Sequence, residues 1–163
     1  MINIILITVL CISFITDIRY RKIFNNVTYP TILISLVYYG FHTGTSGVLF
    51  SVLGLLTGLL LFMFPFLLGG IGAGDVKLLG VIGALKGTHF VFFAFLYTCI
   101  VGGIIALFLL VYQRRLKCLT KRIYLMMNLK SMDTINKNEF HSSFPYGVPI
   151  VIGTLIQLGV EWF

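Results

Sequence analysis

Long uncharged apolar runs, separated by short polar stretches, set the plan of this chain. Met1 to Thr16 is the first, followed by Val27 to Phe41, Val48 to Leu68, Val76 to Leu85, His89 to Tyr112 and Tyr146 to Val160. About 20 apolar residues in helical form cross the hydrocarbon core of a bilayer. The six runs therefore predict an all-α integral membrane protein, a bundle of about six transmembrane helices. The runs are unequal. At about 1.5 Å per residue the first reaches about 24 Å and the fourth about 15 Å, so the fourth is expected to borrow length from the glycine turn before it or to dip partly into the bilayer.

The stretches between runs have distinct characters. Asp17 to Asn26 reads as a polar, basic loop, and residues 42–47 as an uncharged turn. Gly70-Ile71-Gly72-Ala73-Gly74-Asp75 reads as a glycine-rich turn ending in a carboxylate. Gln113 to His141 is the longest polar segment; Leu116, Leu119, Ile123, Met126 and Met127 recur there at helical spacing, which predicts an interfacial amphipathic helix that gates access or binds lipid. Gly54 and Gly58 in the third run, and Gly80 and Gly83 in the fourth, offer thin faces for close helix packing. Pro30 sits near the start of the second run, where a missing N–H is tolerated, and Pro65 is expected to kink the end of the third.

Charge fixes an orientation. With six crossings, the segments after the first, third and fifth runs share one side. They hold Arg19, Arg21, Lys22, Lys77, Arg114, Arg115, Lys117, Lys121, Arg122, Lys130 and Lys137, leaving only Lys86 opposite. The positive-inside rule places these segments in the cytoplasm and both termini outside. Asp17 and Asp75 then face the cytoplasm together.

Composition narrows the class further. Of 163 residues 58% are hydrophobic and 10% charged, with mean hydropathy +1.02, which excludes a soluble domain. The length suits a single membrane-embedded domain, 1–163. Topology accounts for the net charge of +7, so the expected partners are membrane lipid and a membrane substrate rather than nucleic acid. Cys11, Cys99 and Cys118 form no CxxC pair and read as buried small hydrophobes. His42, His89 and His141 lack ligand spacing, so neither metal nor cofactor is expected. The N-terminus has no basic n-region or cleavage site, which marks residues 1–16 as a retained span.

Ionisable residues at the edge of a hydrophobic segment are functional candidates, because lipid penalises them. Two adjacent carboxylates share a proton: the ionised member can deprotonate water, and the protonated one can donate to a carbonyl oxygen and then to the leaving amine. This is aspartic protease chemistry. Gly72 and Gly74 would let a substrate backbone approach Asp75 without Cβ obstruction. Lys77 would either bias the local field or anchor its helix at the headgroups. A blander reading stays open, in which both aspartates are solvated interfacial residues and Asp17 is balanced by the basic loop. A non-enzymatic membrane subunit, a scaffold or a transporter component, also stays open, although the second, third and fifth runs carry no charge for an ion path. Asp133 and Glu139 read as solvated, and Glu161 lies on the opposite face.

Gly72-Ala73-Gly74-Asp75-Val76-Lys77-Leu78-Leu79 resembles the GxGD-VKLL signature of the type IV prepilin peptidases. Asp17-Ile18-Arg19-Tyr20-Arg21-Lys22-Ile23-Phe24-Asn25 is similar to that family's first aspartate element, with Phe24 where a proline is usual. Phe144-Pro145-Tyr146-Gly147-Val148-Pro149 is similar to the start of its last helix. The resemblance implies catalytic roles for Asp17 and Asp75, a motif role for Asn25, and cleavage of prepilins or pilin-like proteins between a basic leader and an apolar helix. It also implies a cytoplasmic active site in the cell membrane. The chain has no room for the CxxC-bearing methyltransferase insertion of longer members, so peptidase activity alone is implied. Presenilin and signal peptide peptidase share GxGD, but their first aspartate follows a tyrosine inside a span, whereas Thr16 precedes Asp17.

Overall fold

In the first helix, α1 (Ile2–Tyr20), the buried positions are Leu6, Val9, Leu10, Ser13 and Asp17. That spacing is one stripe of a 3.6-residue helix, and the rest of the surface is left to apolar side chains such as Ile4 and Ile15. The stripe continues past Thr16, so the helix does too. Asp17 lies in its last turn, not in the loop expected from its charge. This computed structural model describes residues 1–20, 22–112 and 146–162. Arg21, the amphipathic helix expected in 113–141 with its basic residues, Cys118, Asp133, Glu139, His141, Phe144 and Pro145 lie outside them.

Among the described residues three further helices follow: α2 (Asn25–Leu67), α3 (Ala73–Tyr112) and α4 (Gly147–Trp162). The remaining described residues are short connections or chain ends and include no strand. Among the described residues three helices, Ile2–Tyr20, Asn25–Leu67 and Ala73–Phe108, are long and apolar enough to cross a membrane. Two compact units divide the chain: residues 1–101 with 145–163, and residues 102–144. The described part of the second is the last stretch of α3.

Within the first unit, α2 and α3 each fold back on themselves at a glycine. Gly44 adopts φ 65° and Gly87 φ 84°, the left-handed region that glycine enters without a Cβ penalty. Ser35 and Ser51 are 16 residues apart, yet their hydroxyls lie at 3.0 Å. An unbroken helix would hold them about 24 Å apart. Likewise α2 meets α3 on both sides of Gly87. A Cβ on Gly58 would lie 2.4 Å from the Leu79 carbonyl, and Phe62 stacks edge-on against Phe95 at 5.5 Å. The long helices therefore consist of the arms 25–43 and 45–67, and 73–86 and 88–112.

The arm 73–86 is the centre of this unit. Leu78, Leu79, Val81, Ile82, Ala84 and Leu85 are all buried, so the helix is covered on every side. Glycine permits that crowding. A Cβ on Gly54 would sit 2.0 Å from the Gly83 carbonyl, so the two backbones touch there, as the small-residue pattern predicted. The break at Gly87 strands the last carbonyls of the arm. Ser35 donates to the Ala84 carbonyl at 2.7 Å and Tyr39 to the Leu85 carbonyl at 2.8 Å, while Ser51 supplies the hydroxyl donor that Ser35 then lacks.

Three smaller expectations change. Cys11 and Cys99 are exposed rather than buried, each on the outward apolar face of its helix. Pro30 is the sixth residue of α2, beyond the first turn, and cannot donate to the Asn26 carbonyl. Pro65 leaves α2 helical to Leu67; the chain turns only after it, at Gly69 (φ 75°). Lys86 and Glu161, assigned by charge alternation to one side, do form an ion pair.

Candidate active site

Asp75 stands in the first turn of α3, where helix dipole and free amides favour a carboxylate. Its own N–H donates to the Gly72 carbonyl at 3.1 Å, and the Gly72 N–H donates back to Asp75 Oδ2 at 3.2 Å. This is the side-chain half of a capping box, and it fixes the carboxylate at the helix start. Asp75 is 8% exposed.

Asp17 comes from the last turn of α1 and is 5% exposed. The first turn of α4 lies against it: a Cβ on Gly147 would fall 2.5 Å from Asp17 Oδ2. The amides of Gly147 and Val148 approach the carboxylate from the same helix start, yet Oδ2 has no hydrogen-bond partner among the described residues. Ser13, one turn earlier on the same stripe, also has an unpartnered buried hydroxyl. No described cation pairs with Asp17, so the balance by Arg19 and Lys22 that its neighbourhood in sequence suggested is not formed.

The two aspartates line one cavity of about 400 Å³, together with Lys22, Ile23, Phe24, Asn25, Gly72, Ala73 and Gly74. Both carboxylates therefore face the same space. The structure thus brings together the two predicted carboxylates, Asn25 and both glycines. Gly72 and Gly74 have neighbours of their own. The space beside Gly72 is taken by the Asp75 carboxylate, and a Cβ on Gly74 would meet Ile23 at 3.1 Å, so the segment before α2 packs against the motif.

Lys77 makes its contacts across to the start of α2. Its ammonium donates to Asn25 Oδ1 at 2.9 Å and to the Tyr29 hydroxyl at 3.4 Å, and it stands 5.3 Å from the Tyr29 ring centre. It ties the start of α2 to the start of α3 and leaves the aspartates unpaired. Among the described residues no cluster of His, Cys, Asp and Glu could hold a metal ion. Gly147, Ile23 and Tyr29 carried no chemistry that would single them out; only the positions of Gly147 in the Pro-aromatic-Gly motif and of Ile23 in the first aspartate element hinted at their place.

Fold and cavity together define a polytopic helical membrane protein in which one carboxylate at the end of α1 and another at the start of the buried arm 73–86 line a common cavity. Residues 4–107 match the Type IV leader peptidase family, and the chain belongs to that family. Its coarse role is therefore that of a peptidase of the leader-peptidase type. Comparison with curated proteins and with solved structures finds no match.

Proposed function

We propose that this protein is an aspartic endopeptidase that removes the basic leader from type IV prepilins or pilin-like precursors at the cytoplasmic face of the cell membrane. The carrying observation is that Asp17 and Asp75, from different helices, line one cavity and that neither forms an ion pair with a described cation. Of two close carboxylates one retains a proton. The ionised member takes a proton from water as the water oxygen bonds to the scissile carbonyl carbon. The protonated member donates to the carbonyl oxygen; collapse then breaks the C–N bond as the amine accepts a proton. The reaction consumes one water and needs no cofactor. The reversals at Gly44 and Gly87 support six crossings; on that reading the distribution of Lys and Arg puts both termini outside, in a single membrane-embedded domain.

The test is co-expression with a pilin-like precursor, read as a mobility shift on a gel, for the native chain and for Asp17→Asn and Asp75→Asn. Asn keeps size and hydrogen bonding but cannot transfer the proton. The native chain cleaves, and each variant inserts at normal levels yet loses cleavage by at least about 10³-fold. Residual cleavage by either variant within about tenfold of native would remove that aspartate from the mechanism. If the native chain cuts no pilin-like precursor, the scaffold reading takes its place.

A further inference from the structure

A second cavity, of about 420 Å³, lies between the arm 45–67 of α2 and the first turns of α3. Leu60, Met63 and Phe66 form one wall; Ala73, Val76 and the stem of Lys77 form the other. Its origin is in the sequence. Residues 54, 58 and 62 follow one row of α2. Gly54 and Gly58 admit α3 to backbone contact, and Phe62 ends that row with a ring stacked on Phe95. Beside this row Leu59, Leu60, Met63 and Phe66 of α2 and Ala73, Val76 and Lys77 of α3 line the groove, which reaches Ala73, two positions before Asp75.

Two links join the groove to the carboxylate cavity. Ala73 lines both. Lys77 lines the groove while its ammonium holds Asn25, which lines the cavity. Polarity changes at this junction. Apart from Lys77 the groove is walled by apolar side chains, whereas the cavity carries Asp17, Asp75, Lys22 and Asn25. A substrate of the proposed class changes in the same way at its cut, from a polar basic leader to an apolar helix.

We infer that this groove receives the first turns of the substrate's apolar helix, directly after the cut bond, and sets that bond in register with Asp17 and Asp75. The inference rests on the peptidase reading. Leu60 is 69% exposed and Met63 46% exposed, so both present free surface to an incoming helix. From Leu60 to Phe66 the wall is about 9 Å long, a little under two helical turns. A lipid acyl chain has the right polarity, but the groove's continuity with the carboxylates favours a chain that must also reach them.

The experiment uses the full-length protein in proteoliposomes with a pilin-like precursor. Leu60→Trp fills the groove from an exposed position and raises KM so that kcat/KM falls about tenfold or more. Leu53→Trp, exposed on the same helix outside the groove, leaves cleavage at the native level. In parallel, a photo-crosslinking residue at Met63 in the Asp75→Asn background captures the uncut precursor through its apolar helix. Native kcat/KM in Leu60→Trp, or crosslinks only to lipid or within the chain itself, overturns the groove assignment. Failure of the peptidase reading is seen separately, as absence of cleavage by the native protein.

Discussion

At the scale of single residues the most telling contact is that of Gly147 with Asp17. Alanine there would put a Cβ 2.5 Å from the carboxylate oxygen, so either the side chain or the start of α4 must move. A misplacement of about 1 Å can cost a hundredfold in rate, and Gly147→Ala is expected to lose about that much kcat. Gly159→Ala, with no atom within 4 Å of the added carbon, serves as the matched control in the same cleavage assay and stays at the native rate. Lys77→Met removes the donor to Asn25 and Tyr29 while keeping the apolar stem. Expected are a several-fold fall in cleavage and recovery with Lys77→Arg, since the arginine restores a charged donor at that site. Asp17 and Asp75 were legible in the sequence because a carboxylate beside an apolar run is conspicuous. Gly147 and Ser13 were not, because their importance lies in the helix facing them. Asp17 itself was legible as a residue but not as part of a helix: its charge suggested a loop, and packing against α4 decided otherwise.

At the scale of elements, the arm 73–86 dictates most of the arrangement. The glycine spacing in α2 and α3 foretold close packing, and the contacts at Gly54, Gly58 and Gly83 are where it occurs. Gly83→Leu would force a side chain into the Gly54 backbone. Overpacking costs about 1–3 kcal/mol, and the upper end applies because the obstruction is main chain. Thermal unfolding in detergent should show the loss, with Gly103→Ala, which meets nothing within 4 Å, unchanged. Ser35→Ala removes the cap on Ala84 and the partner of Ser51, with an expected cost of about 1–2 kcal/mol by the same measurement. These caps were invisible in advance. Serine and tyrosine in an apolar run say nothing about which distant carbonyl they will satisfy until the break at Gly87 frees it.

At the scale of the whole molecule, alternating runs and charges revealed the helical membrane class and the six segments, because hydropathy and length act without reference to tertiary detail. They could not reveal that the reversals between runs fall at Gly44 and Gly87, since each depends on the conformation of one residue's backbone. Orientation has a direct test. In a chain freed of its native cysteines, Asn26→Cys should react with a membrane-impermeant maleimide only from the cytoplasmic side and Ser46→Cys only from outside; the reverse labelling would invert the topology. The contact between α1 and α4 also acts on timing. Both carboxylates are synthesised well before Gly147, and at roughly 5–20 residues per second the interval lasts several seconds. During it the emerging chain holds its two acids but lacks the wall that seats the first of them. On the mechanism proposed above, translation thereby acts as a safety catch. A nascent chain stalled before α4 is made should leave a neighbouring precursor uncut, and release of the stall should start proteolysis.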